Sequence, residues 1–78
     1  MNRAYADAHY TTRFVEDIKD GFSGLELFRD RAAKNERVAR ILFWDASGQF
    51  YFETFNTDLP LMIVEEFIAE AKELIVTQ

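Results

Sequence analysis

Residues 23–37, SGLELFRDRAAKNER, decide which fold the chain is read into. They follow "DGF" at 20–22, which is turn chemistry, and they open with the S-x-x-E spacing of a capping box. In that pattern the Ser23 hydroxyl accepts from backbone N–H groups while Glu26 reaches back to the chain start. Leu25, Phe28 and Ala32 then fall on one side with Leu27 flanking, and Arg29, Asp30, Arg31 and Lys34 fall on the other until "KNER" ends the pattern. The spacing predicts a short helix.

Outward from this segment, HYTTRFVEDIK at 9–19 alternates Tyr10, Thr12, Phe14, Glu16 and Ile18 against Thr11, Arg13, Val15 and Asp17. Its β-branched and aromatic content favours a strand, although Phe14, Val15, Ile18 and Phe22 also make a narrow helical stripe. Residues 1–8 show no sustained period and are read as a flexible arm that Tyr5 could pin, which leaves 9–78 as a single domain. On the other side, RVARILFW reads as an apolar strand, DASG as a turn and QFYFETF as the returning strand. Asp45 at the first turn position and Gly48 able to take positive φ suit a type I turn closed by a glycine bulge. From 61 to 75 the apolar Leu61, Ile63, Val64, Phe67, Ile68, Ala71, Leu74 and Ile75 share one arc, an amphipathic helix with Thr57 or Asp58 as cap and Pro60 in its first turn.

The elements therefore run β-α-β-β-α, an α+β class with a three-stranded, mainly antiparallel sheet and two helices on one face. With a right-handed first connection, the topology resembles a ferredoxin-like fold lacking its last strand. Such an analogy carries no function.

The hairpin at 41–55, ILFWDASGQFYFETF, is aromatic on both faces. If Asp45 pairs with Gln49, then Trp44 meets Phe50, Phe43 meets Tyr51, Leu42 meets Phe52 and Ile41 meets Glu53. One face then carries Val38, Leu42, Trp44, Phe50 and Phe52, and the other Ile41, Phe43, Tyr51 and Phe55. Two helices on one side cover only one of these faces, and three aromatic rings on the second amount to about 450–750 Å². A soluble monomer tolerates less than that. The face around Ile41, Phe43, Tyr51 and Phe55 is therefore expected to meet a second copy of the chain, the N-terminal arm or a small ligand, with the homodimer first.

Composition bounds the rest. Seventy-eight residues make one small domain, and the 49% hydrophobic content is too high for a disordered tail. Without cysteine there is no disulfide, thiolate or Cys-based zinc site. A net charge of −5 repels phosphate backbones and anionic lipid, and no window approaches a membrane span, so a cytoplasmic protein that binds neither nucleic acid nor membrane is expected. GQFYFETF resembles the aromatic strand of RNA-recognition domains over its length, but the basic residue before the glycine is missing.

No set of residues carries a recognisable chemistry. His9 is the single histidine, Ser23 and Ser47 sit where turns and caps want serine, and the glycines at 21, 24 and 48 form no phosphate loop. The expectation is a protein that is not an enzyme, with no metal and no cofactor. Glu65, Glu66, Glu70 and Glu73 make an acidic arc on the last helix, a candidate surface for a basic protein partner. The chain is thus read as a small acidic interaction domain, a homodimer of inhibitor, immunity or adaptor type. The alternative is a small-molecule binder or minor enzyme with an aromatic cleft on the sheet and Tyr51, Glu53 or Arg40 as its polar groups.

Overall fold

A computed structural model describes residues 1–75. Five strands, β1 (Asn2–Tyr5), β2 (Ala8–Asp17), β3 (Phe22–Arg31), β4 (Lys34–Trp44) and β5 (Gln49–Thr54), precede one helix, α1 (Leu61–Leu74). The strands form an antiparallel meander in the order β1-β2-β3-β4-β5, each paired with its neighbours in sequence. α1 lies across one face of this sheet.

The reading of a three-stranded sheet with two helices, a ferredoxin-like topology lacking its last strand, is overturned by this meander. The error lies at residues 23–37. Leu25 and Leu27 are two apart and both fully buried, a strand period, while Glu26 between them turns to the opposite face. There it pairs with Arg37 on β4 at 2.7 Å and Arg13 on β2 at 3.3 Å, cross-strand ties in place of a helix cap. Leucine, glutamate, arginine and alanine all favour helices, but tertiary pairing on both sides overrides that weak preference. The segment then reverses at Ala32 and Ala33, whose φ values of 52° and 61° make a two-residue hairpin between Arg31 and Lys34. Positive φ at both central positions is the geometry that Asn-Gly normally supplies, so the sequence hides this turn.

Residues 2–5, within the segment read as an arm, form β1, with Asn2 opposite Thr11 and Tyr5 opposite Ala8. Residues 9–17 of the 9–19 segment are strand, with Ile18 and Lys19 in the turn that follows, and the last helix stands where its period placed it.

The core lies between α1 and the sheet. Ile63, Phe67, Ala71 and Ile75 pack on Ala8, Tyr10, Leu25, Leu27, Val38, Ala39 and Ile41. A bulge helps to build it: Leu27 pairs with Ala39 but Phe28 with Arg37, so Val38 is the extra residue on β4. Val38 and Ala39 are buried side by side, which strict alternation would forbid.

Candidate functional site

The opposite face of the sheet has no helix, and charge covers much of it. Glu26 is buried between Arg13 and Arg37, and Arg40 pairs with Glu53 across β4 and β5 at 2.5 Å. The arginines also lie over aromatic rings: Arg37 stands 4.6 Å and Arg40 5.8 Å from the Phe55 ring centre, and Arg13 stands 5.9 Å from that of Phe28. Such cation–π contacts place long apolar stems over rings while the charged ends meet water. Phe22 and Trp44 pack together at 5.0 Å, and Leu42 lies over Gly24, where a Cβ would come within 2.6 Å of it. Glycine at 24 is what lets that leucine close onto the strand.

The hairpin register explains where the predicted face went. Trp44 pairs with Gln49, Phe43 with Phe50, Leu42 with Tyr51 and Ile41 with Phe52, a one-residue slip from the pairing read from the sequence. The loop runs through residues 45–48, with Ser47 and Gly48 both donating N–H to the Trp44 carbonyl. Ile41 is therefore buried under α1 and Phe43 packs beside it, while Tyr51 and Phe55 stand on the charged face. These four residues do not share one surface.

The acidic arc is divided in the same way. Glu66 accepts from Arg3 Nε at 3.1 Å, and Glu70 accepts from the Met1 ammonium and the Thr12 hydroxyl, both at 2.8 Å. Two of the four carboxylates thus fasten α1 to β1 and β2, and of the four only Glu65 and Glu73 are left exposed. Among the described residues no three histidine, aspartate or glutamate side chains converge as metal ligands, and no helix is long and apolar enough to cross a membrane. Arg29, buried beside Tyr10, donates to Glu36 at 2.9 Å. That hydrogen bond raises the guanidinium pKa further and holds the Glu36 carboxyl below its usual range. The pair joins β3 to β4 near the chain segment entering α1, since Arg29 also reaches the Asp58 carbonyl.

The β5 edge is an open aromatic surface. All six residues of β5 are exposed, and its aromatics Phe50, Tyr51 and Phe52 keep 37%, 52% and 44% of their surface. Phe50 and Phe52 lie on the helix side, where Phe52 touches Phe67 edge-on at 6.3 Å. Between β5 and α1 runs an apolar groove of about 160 Å³ lined by Ile41, Phe50, Phe52, Ile68, Ala71 and Lys72. The sequence shows the rings, with Phe50 and Phe52 on one face and Tyr51 on the other, but not that they stand at an edge, because the edge position of a strand depends on sheet order and not on its own residues.

No protein-family model, curated protein or solved structure matches the chain.

Proposed function

We propose that the protein is a non-catalytic protein-interaction domain whose binding surface is the β5 edge together with the groove beside α1. The observation that carries this reading is the strand itself. It is an outer strand with exposed rings on both faces and no lysine, proline or bulge, the devices by which sheet edges are normally blocked. An extended segment added to β5 would gain backbone hydrogen bonds from the edge and place alternate side chains in the groove. The homodimer expected from the sequence belongs to this reading, at the edge instead of the face. A small molecule is a poorer fit to this groove, whose volume of about 160 Å³ is below the ~300–1,000 Å³ usual for ligand pockets.

Selection of extended peptides from a random display library tests the proposal. Recovered binders should alternate apolar and polar residues, and should lose at least about tenfold in affinity for Phe52→Lys. They should bind Glu65→Lys and Glu73→Lys as they bind the original chain. Binders that ignore Phe52→Lys, or that follow the two glutamates, would move the site to the helix and overturn the reading.

A further inference from the structure

We infer that the occupant of the β5 edge is a second copy of this chain, paired antiparallel to β5 about a two-fold axis through Tyr51. The inference rests on the reading of β5 as the binding edge. Hydrogen-bond parity comes first. Phe55 donates its N–H inward to the Val38 carbonyl at 3.1 Å. Residues of an antiparallel strand alternate between bonding one neighbour and the other, so Phe50, Phe52 and Thr54 turn their N–H and C=O groups toward the open side.

A two-fold axis perpendicular to the sheet keeps each side chain on its own face. With Tyr51 on the axis, Phe50 of each copy meets Phe52 of the other on the helix side, and these are the residues whose backbone groups are free to bond. Tyr51 meets its own counterpart on the opposite face. Gln49 meets Glu53, an amide donor against the one charge on the strand, and Arg40 of the same copy already partners that charge at 2.5 Å. No like charges face each other. Moving the axis to Phe52 would set Phe50 against Thr54 and lose two of the ring pairs, so the strand's own chemistry selects Tyr51.

Area sets the strength. At ~150–250 Å² for a whole aromatic side chain, the three partly exposed rings offer roughly 200–330 Å² per copy. With the strand backbone, Ile68 and Lys72 added, the total comes near the ~1,000 Å² that a specific interface needs and not far beyond it. The dimer is therefore weak and concentration-dependent. Each copy carries a net charge of −5, so added salt screens the repulsion between copies and tightens the dimer.

The chain has no cysteine, which makes Tyr51→Cys its single thiol. On the axis, a pair without mutual backbone bonds brings the two Cα atoms to ~4.5 Å, within disulfide reach. Under mild oxidation Tyr51→Cys should form a covalent dimer about tenfold or more faster than Ile18→Cys, although Ile18 is the more exposed position. Light scattering should show the mass of the original chain rising from 9.1 kDa toward twice that value with concentration and with salt. Tyr51→Lys, which sets two ammonium groups on the axis, should stay monomeric with its melting temperature unchanged. A chain that remains monomeric throughout, Tyr51→Cys oxidising no faster than Ile18→Cys, or a dimer that survives Tyr51→Lys would each overturn the inference. If peptides selected on the domain still depended on Phe52 in those cases, β5 would stand as the binding edge and only the second copy would fall.

Discussion

β1 and β5 both leave one side of their backbone unpaired within the sheet, yet the chain treats the two edges differently. β1 is four residues long, and the helix fastens it: Arg3 to Glu66, and the Met1 ammonium to Glu70 and Thr12. His9 and Asn2 add a contact between β1 and β2. β5 is longer and aromatic, and only Phe52 touches a helix ring. Short length and nearby charge make an edge a poor template for another strand, whereas a longer edge with exposed rings, whose single charge Glu53 is already paired with Arg40, invites one. Charge on one side of α1 and apolar surface on the other thus give one small sheet a closed edge and an open edge.

The largest effect should come from removing what both edges share. Phe67 is fully buried at the centre of α1 and also meets Phe52, so Phe67→Ala should cost about 3–5 kcal/mol in denaturant unfolding. Protection from hydrogen exchange should then fall at β1 and β5 together. A loss confined to one edge would mean that α1 does not hold both.

Glu70→Ala should separate them. It leaves the Thr12 hydroxyl without its acceptor and the Met1 ammonium with Thr12 alone, a loss of about 1–3 kcal/mol. The lower end is expected because the Glu70 side chain keeps 24% of its surface. Exchange should quicken in β1 and its β2 partners while β5 amides keep their rates. Equal quickening at both edges would show that the clamp serves the domain as a whole.

The smallest change belongs to neither edge. Ala33 holds φ at 61° in the β3–β4 turn, a conformation that disfavours alanine and suits glycine. Ala33→Gly should stabilise the protein by about 1 kcal/mol, visible as a higher denaturant midpoint with an unchanged slope. Relative protection of the two edges should not alter. A shift toward one of them would tie the turn to that half of the sheet.

Which parts of this arrangement were legible follows from what local chemistry can encode. Thr12 and Phe14 alternate with Arg13 and Val15 in a strand, and Ile63, Phe67 and Ala71 recur at helical spacing, so β2 and α1 could be read from their own residues. Residues 23–37 could not. Their helix-forming composition and capping-box spacing describe an isolated peptide, and the ties that make Glu26 a strand residue come from Arg13 and Arg37, one on each neighbouring strand. The candidate site is legible only in part in the same sense: of the face expected to need cover, Tyr51 is exposed on β5, but Ile41 and Phe43 lie on the helix side, and Phe50 and Phe52, expected under the helices, are the other exposed rings.

The sequence by itself determined an acidic composition without cysteine, an aromatic hairpin and a terminal amphipathic helix, because composition and period are properties of the chain. Only the tertiary structure decided that β3 is a strand, that Glu66 and Glu70 fasten β1, and that arginines over Phe28 and Phe55 cover the face without a helix. The physical reason is that pairing partners come from elsewhere in the chain. A strand's place in the sheet, and therefore whether its edge is bonded or open, depends on which segments pack beside it, and no local pattern in β5 records that nothing does.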